Sequence, residues 1–269
     1  MKKHLGVALL AIVTIFAITG CGASKSSSTD ADKKTINIGA SAVPHAEILE
    51  KVKPILAKEG YTLNIKVFND YVKPNVALND GELDVNFFQH LPFLKTFNKE
   101  HKTNLVSTAK VLIAPMGIYS KKIKKIADIK DGAKIAVPND ASNEARALLL
   151  LEKAGLIKVK KADLPNVNDI TENKKNLKIT ELEAPQLPRT LDDVDASVIN
   201  TNYALQANLT PAKDALFLEA KDSPYVNIVA VKKENENKPY IKALDKAINS
   251  PEIKKFILEK YKGSIIPAF

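Results

Sequence analysis

The chain has 269 residues, of which 45% are hydrophobic and 26% are charged, and its formal net charge is +9. This composition excludes a disordered chain and is typical of a globular protein long enough for two domains. The positive charge comes almost entirely from lysine, since arginine occurs only at Arg146 and Arg189. The lysines are spread along the sequence without an arginine and aromatic cluster, so we predict no nucleic-acid partner.

The first 20 residues have the pattern of a bacterial signal peptide. Lys2 and Lys3 precede an apolar run over residues 5–18, which is too short to cross a bilayer as a helix, and small residues then lead to Cys21. The run resembles a lipobox, which predicts a signal peptide over residues 1–20 and a membrane anchor through acyl chains such as palmitate on Cys21. The alternative is an ordinary signal peptide with an incidental cysteine. Residues 21–34, rich in Ser, Asp and Lys, are predicted to be a flexible tether.

From residue 35 onward, strand-like and helix-like segments alternate. Residues 35–41 and 62–68 alternate or are β-branched as strands are, and a helical spacing of apolar residues lies between them over residues 45–60. A buried strand follows in "LDVNFF" and a helix in "LPFLKTFNKEHK". This order predicts a mainly parallel sheet with helices on its faces.

A second alternation begins after an extended segment interrupted by Pro115 and Gly117. It contains the strand "AKIAVPND", a helix over residues 142–154 and the strands "LKITELEA" and "ASVIN", and another extended run follows in "YVNIVAVKK". Two α/β units joined by two extended segments favour two lobes, with one lobe over residues 35–115 plus 227–269 and the other over residues 116–226. The crossings would act as a hinge on which the lobes close around a ligand. A single doubly wound domain is the competing interpretation.

Motifs of enzymes are missing from the sequence. GxSxG, HExxH, CxxC, Walker A and GxGxxG patterns do not occur, and Cys21 is the only cysteine. His45, His90 and His101 are not at common metal-ligand spacings. We therefore predict no enzyme activity, no cofactor and no metal site, and expect ligand capture instead.

Arg146 is the strongest candidate for a binding residue. It lies near the start of the helix that follows the strand "AKIAVP", with Ser142 or Asn143 as the expected N-cap. In open α/β sheets, ligands bind at such strand-to-helix turns, and a guanidinium there binds a carboxylate or phosphate with two parallel hydrogen bonds. The alternative is a surface arginine paired with Glu144 or Asp140.

The segment "DYVKPNVALNDGELDVNFFQHLPFL" contains most of the clustered aromatic residues. Two of them, Phe87 and Phe88, are neighbours on a strand and face opposite sides, so only one can line a given pocket. Gln89 and His90 end this strand and are candidates for a cleft. The other interpretation is that the aromatic residues belong to the core, which we expect for Phe97.

Asn200 and Asn227 each stand at or near the end of an extended apolar run. Each side chain offers one acceptor and two donors, which suits a desolvated ligand carrying both an ammonium and a carboxylate. In the alternative interpretation, each side chain stabilises a local turn.

Six segments carry a resemblance to a known family. These are "GASAVPHAEIL", "DYVKPNVALNDGELDVNFFQH", "APMGIYSKKIK", "VPNDASNEARALLLLEKAGLI", "ELEAPQLPRTLDDVDASVINTNYA" and "SPYVNIVAVKKEN". They closely resemble the NlpA/MetQ family, the substrate-binding lipoproteins of methionine ABC importers, in order over nearly all of residues 36–261.

The resemblance implies a two-lobed, periplasmic-binding-protein-like α/β fold of type II, with two crossover segments as hinge. It implies that L-methionine binds between the lobes and passes to an ABC permease and its ATPase at the outer face of the cell membrane. It assigns the ligand carboxylate to Arg146 and the polar end of the ligand to Asn200 and Asn227. The rest of the pocket would be formed by four further residues, which are Tyr71, Phe88, His90 and Asn143.

The resemblance leaves some positions and ligands open. Phe93 stands where tyrosine is frequent in the family, and Arg189 matches a family motif without a ligand role. A methionine-containing dipeptide or another apolar amino acid is an alternative ligand. A surface adhesin or structural lipoprotein is the alternative from a different class of protein.

Overall fold

A computed structural model of the chain describes residues 33–269. The predicted signal peptide, Cys21 and most of the predicted tether therefore lie outside the described residues. Within residues 33–269, no helix has both the length and the apolar character needed to cross a membrane.

Strands and helices alternate along the described part of the chain, as the sequence predicts. The strands are β1 (Thr35–Ser41), β2 (Thr62–Phe68), β3 (Val85–His90), β4 (Leu105–Ile113), β5 (Gly117–Tyr119), β6 (Lys134–Pro138), β7 (Lys158–Val159), β8 (Ile170–Glu172), β9 (Lys178–Leu182), β10 (Ala196–Ile199), β11 (Phe217–Leu218), β12 (Val226–Lys232) and β13 (Ile266–Pro267). The α-helices are α1 (Glu47–Lys58), α2 (Lys73–Asn79), α3 (Leu91–His101), α4 (Ala141–Lys153), α5 (Thr201–Gln206), α6 (Pro211–Asp214), α7 (Pro239–Ile248) and α8 (Pro251–Tyr261). Short 3-10 helices include Ala184–Asp192, and a π-helical segment covers Ala42–Ala46.

Two separate sheets form the two lobes of the molecule. The six-stranded sheet has the order β13-β4-β12-β3-β1-β2, and the five-stranded sheet has the order β11-β5-β10-β6-β9. The predicted parallel pairing is confirmed for β1, β2 and β3. It is wrong for the sheets as a whole, because β12 runs antiparallel to both β3 and β4, and β5 runs antiparallel to both β10 and β11. Both β5 and β12 directly follow a segment that connects the lobes. Each therefore enters its sheet from the end opposite to that at which the βαβ strands enter.

Helices cover both faces of each sheet. In the six-stranded lobe, α1, α7 and α8 bury apolar residues such as Leu49, Leu244 and Ile257 against one face, while α2 and α3 pack on the other. In the five-stranded lobe, α4 packs on one face through Leu148 and Leu151. The segment Ala184–Asp192 and α5 pack on the opposite face. This layering on two sheets confirms the two-lobed α/β fold and excludes a single doubly wound sheet.

The chain passes between the sheets twice within the described residues. It leaves β4 at Ile113 and enters β5 at Gly117, and it leaves β11 at Leu218 and returns in β12 at Val226. Residues 114–116 and 219–225 are therefore the two connecting segments. They lie side by side, since the backbone N–H of Glu219 donates to the carbonyl oxygen of Met116 at 2.9 Å.

Candidate functional site

A buried cavity lies between the two sheets. Its free volume is about 20 Å³, and residues from both lobes line it. The lining consists of His45, Tyr71, Phe88, Gln89, His90, Phe93, Ala114, Asn143, Arg146, Asn200, Thr201, Asn202 and Asn227. The structure thus brings all seven predicted binding residues to one cavity, although their roles stay predictions.

Arg146 lies in the second turn of α4 with only 3% of its side chain exposed. Its Nε donates to Oε1 of Glu219 at 3.1 Å, and its Nη2 donates both to Oε2 of Glu219 and to the carbonyl oxygen of Ala114, the latter at 2.9 Å. The ring of Tyr225 lies 4.4 Å from the guanidinium carbon. A surface pairing with Glu144 or Asp140 is therefore excluded, because the arginine is buried and its partner is Glu219.

Glu219 fixes this arginine to both connecting segments. Its carboxylate also accepts a 3.1 Å hydrogen bond from the backbone N–H of Met116, and its side chain is 8% exposed. Ala114 and Met116 belong to the first connection, whereas Glu219 and Tyr225 belong to the second. Among residues 33–269, Nη1 of Arg146 has no hydrogen-bond partner, so one edge of the guanidinium is available to a ligand.

Asp140 and Asn143 order the polar side of the cavity. The N-cap of α4 is Asp140, whose side chain accepts from the N–H of Asn143 at 3.0 Å, so the prediction of Ser142 or Asn143 as the cap is wrong. The Asp140 carboxylate, two residues before Ser142, reaches the free N–H groups of the first turn. The Asn143 amide nitrogen also donates to both Asp140 oxygens, at 3.0 and 2.9 Å. These bonds fix the orientation of the Asn143 side chain and leave its Oδ1 to accept other hydrogen bonds.

The oxygen of Asn143 joins the two lobes. It accepts from Nδ2 of Asn200 at 2.8 Å and lies 3.1 Å from Nε2 of His90. Because Nδ1 of His90 accepts from the N–H of Phe93 at 3.1 Å, we assign the ring proton to Nε2. Burial, and then the nearby positive charge of Arg146, lower the pKa of His90 to about 3. His90 is therefore a neutral hydrogen-bond donor at neutral pH.

Asn227 is held by a histidine that the sequence interpretation did not assign to the site. Nε2 of His45 lies 2.8 Å from Oδ1 of Asn227, and Nδ1 of His45 lies 2.5 Å from Oγ of Ser41. Burial lowers the pKa of His45 to about 4, although the contact with Asn227 opposes the shift. The signal that could have identified His45 is its place after β1, at the carboxyl end of a parallel strand where sites form.

Aromatic rings form the apolar wall of the cavity. The ring centroids of Tyr71, Phe88 and Phe93 lie between 5.8 and 6.1 Å from one another. Of the two strand neighbours, Phe88 lines the cavity and Phe87 points into the core on the opposite face of the sheet. Phe97 packs in the core, as expected.

Tyr71 also reaches across the cleft to Asn202, another residue that sequence reasoning missed. Its hydroxyl donates to Oδ1 of Asn202 at 2.6 Å, and burial raises the tyrosine pKa. A further bond between the lobes runs from the hydroxyl of Tyr203 to the carbonyl oxygen of Asn69 at 3.2 Å. The two lobes are therefore closed on each other in this structure.

Several polar groups at the cavity have no partner within residues 33–269. Oδ1 of Asn200 and Nδ2 of Asn202 are both buried without a hydrogen bond. Together with Nη1 of Arg146 they leave two donors and one acceptor for a ligand, whereas the Gln89 amide is already bonded to Asn75 and Asn86. A buried group without a partner costs about 1–3 kcal/mol, so a ligand that satisfies these groups is strongly favoured.

The other sequence candidates lie away from the cavity. Arg189 is exposed in the segment Ala184–Asp192 and has no contact with the site. Among the described residues, no group of three or more His, Cys, Asp or Glu side chains is arranged to bind a metal ion. The site therefore offers hydrogen bonds, one guanidinium and an aromatic wall.

Two sheets, two connections and an interlobe cavity define a binding protein of the periplasmic-binding-protein type. The family model of the NlpA lipoproteins matches residues 36–269, and the chain belongs to this family. The chain is 44% identical over 262 residues to the D-methionine-binding lipoprotein MetQ of Salmonella typhi, an alignment that covers 95% of this chain and 94% of that protein.

Solved structures agree with this assignment. A nutrient-binding protein of Burkholderia cenocepacia bound to methionine is 50% identical, with a TM-score of 0.85 over 87% of this chain and 100% of that one. A periplasmic substrate-binding protein of an ABC transporter from Coxiella burnetii is 47% identical, with a TM-score of 0.84 over the same shares.

Proposed function

We propose that the protein binds L-methionine in the cavity between its lobes and delivers it to an ABC permease driven by a cytoplasmic ATPase. The observation that carries this proposal is the pairing of unused groups at one cavity: Nη1 of Arg146 and Oδ1 of Asn200. A carboxylate bonds to the first and an ammonium to the second, so the cavity suits an α-amino acid. The methionine that the Burkholderia cenocepacia relative binds is such a ligand.

The aromatic wall supports a thioether side chain. Tyr71, Phe88 and Phe93 surround the apolar end of the cavity, and contacts between sulfur and aromatic rings contribute about 0.3–1.5 kcal/mol beyond burial.

On the polar side, Asn227 completes the shell around the ammonium. His90 and Asn143 hold the amides in place rather than react, so binding occurs without turnover of the ligand.

The lobes, residues 35–115 plus 227–269 and residues 116–226, close around the ligand in this proposal. The acylated Cys21 anchors the protein on the extracytoplasmic face of the cell membrane, with residues 21–34 as a tether. The family's description as lipoproteins supports this anchor. Release of the ligand follows when the permease favours the open arrangement of the lobes.

Isothermal titration calorimetry of the full-length chain in detergent, with L-methionine and D-methionine, tests the ligand. We expect one L-methionine per chain and a higher unfolding temperature in its presence. No heat and no thermal shift at millimolar ligand would exclude methionine. Mass spectrometry of the small molecule released by denaturing the native protein then identifies a dipeptide or another apolar amino acid.

A further inference from the structure

Glu219 contributes charge to the site without touching the cavity. It is absent from the lining residues, and its carboxylate contacts are to the Arg146 guanidinium and the N–H of Met116. Both side chains of the ion pair are more than nine-tenths buried. A charge in such surroundings is only weakly screened by water, so the carboxylate acts on whatever binds beside the arginine.

The ion pair of Arg146 and Glu219 determines the charge at the cavity, because the other titratable groups around it are neutral or bonded elsewhere. His45 and His90 are neutral, and the hydroxyls of Tyr71 and Tyr225 stay protonated because burial raises their pKa. The Asp140 carboxylate is bonded to Asn143 and Ser142, and the ion pair of Arg146 in the described part of the chain is with Glu219 instead. Arg146 is thus the charged group on the cavity wall, and Glu219 is the carboxylate that neutralises it.

We propose that Glu219 makes the site selective for a ligand of zero net charge, by cancelling the Arg146 charge that the ligand meets. An uncompensated buried guanidinium favours an anion over a zwitterion, because the anion has no ammonium for it to repel. With Glu219 in place the pair is neutral, and hydrogen bonding rather than net charge selects the ligand. The inference rests on the proposed binding of an amino acid and names what excludes its charged relatives.

Three ligands that share the thioether chain test the inference by calorimetry on the full-length chain in detergent. L-Methionine is a zwitterion, 4-(methylthio)butanoate has the carboxylate without the ammonium, and L-methioninamide has the ammonium without the carboxylate. Glu219→Gln removes the charge and keeps the size of the side chain. We expect the affinity for the anion, relative to L-methionine, to rise about tenfold or more, and that for the cation to fall.

Two matched variants separate charge from structure. Glu219→Asp keeps the charge. Glu144→Gln removes a buried carboxylate of α4, the helix that carries Arg146. The Glu144 carboxylate lies away from the cavity and accepts from the N–H of Val167 at 2.8 Å. Both should keep the wild-type ratios between the three ligands, even where all affinities fall. Glu219→Ala is a second variant without the charge, and it must shift the ratios in the direction expected for Glu219→Gln.

The outcomes distinguish this inference from the proposed function. Wild-type protein that does not bind L-methionine overturns both. Wild-type protein that binds L-methionine, with ratios unchanged within about twofold in Glu219→Gln and Glu219→Ala, overturns the charge selection alone. An equal shift in Glu144→Gln also overturns it, because the effect would then not come from the pair with Arg146.

Discussion

The hydroxyl of Tyr71, in the six-stranded lobe, donates a 2.6 Å hydrogen bond to Oδ1 of Asn202, in the first turn of α5 in the other lobe. This bond exists only while the lobes are closed. It also fixes the amide of Asn202, so that Nδ2 is the group left for a ligand. One hydroxyl therefore contributes both to closure of the lobes and to presentation of a donor.

We predict that Tyr71→Phe weakens methionine binding about threefold to tenfold, because a neutral hydrogen bond contributes about 0.5–1.5 kcal/mol. The ring and its contacts with Phe88 and Phe93 remain, so the loss should appear mainly as faster dissociation, which stopped-flow displacement measures. Tyr61→Phe is the control, since the Tyr61 hydroxyl is outside the cavity and has no hydrogen bond among residues 33–269. Equal effects of the two substitutions would contradict a role for the interlobe bond.

Arg146→Lys should weaken L-methionine binding by about thirtyfold or more. Lysine keeps the positive charge but cannot bond to Glu219 with two parallel N–H groups while presenting a third to the ligand, and charge-assisted bonds contribute about 1.5–3 kcal/mol. The only other arginine gives a matched control, because Arg189→Lys changes an exposed side chain and should leave the dissociation constant unchanged. Calorimetry on both variants tests this prediction. A wild-type affinity in Arg146→Lys would contradict the need for the planar guanidinium.

Asp140→Ala should lower both stability and affinity, whereas Ser250→Ala should lower stability alone. Each residue caps a helix, with Asp140 accepting from Asn143 and Ser250 accepting from Ile253, and loss of a cap costs about 0.5–2 kcal/mol. Only the first substitution also frees the amide of Asn143 at the cavity. Urea denaturation and calorimetry on the two proteins test the difference. A fall in affinity for Ser250→Ala would show that lost stability, rather than the freed amide, weakens binding.

The stability of the protein should decrease as the pH falls from about 6.5 to about 4. Burial lowers the pKa of His45 to about 4 in the folded state, from its ordinary value of 6.5 in the unfolded chain. Between these values the unfolded chain binds more protons, so the free energy of unfolding is fully present above pH 6.5 and is reduced below it, by up to about 3 kcal/mol. Urea unfolding at pH 7, 6, 5 and 4.5 measures the slope. His45→Asn should reduce this slope, with His90 contributing the rest because its pKa is also lowered by burial, whereas the exposed control His101→Gln should not change it. A slope unaffected by His45→Asn would contradict the assignment.

The sequence predicts local structure well because the signals for it are local. The bounds of β1 and β2 coincide with the predicted strands, and the start of α8 carries the local signals of Ser250 as N-cap, Pro251 and Glu252. The pairing of β12 between β3 and β4 was not predictable from its own residues. An extended apolar run shows that a strand forms, but not which distant strands will accept it.

The candidate site likewise contains residues that could be predicted from the sequence and residues that could not. Arg146 is recognisable because arginine is rare in this chain and because a helix start after a strand is a known place for anions. Its partner Glu219 is 73 residues away, in the segment "FLEAKDSPY", which has no pattern of its own. Asn202 was missed for the same reason, since its importance comes from Tyr71, which only the fold brings near.

The position of β12 in its sheet has a consequence for how the protein is made. The cavity needs Asn227 on β12, and β12 occupies the space between β3 and β4, which are synthesised more than 100 residues earlier. A chain growing from its N-terminus therefore leaves two apolar strand edges unpaired until residue 232 has emerged, and such edges are prone to aggregate. The binding site is therefore incomplete in any chain that lacks β12.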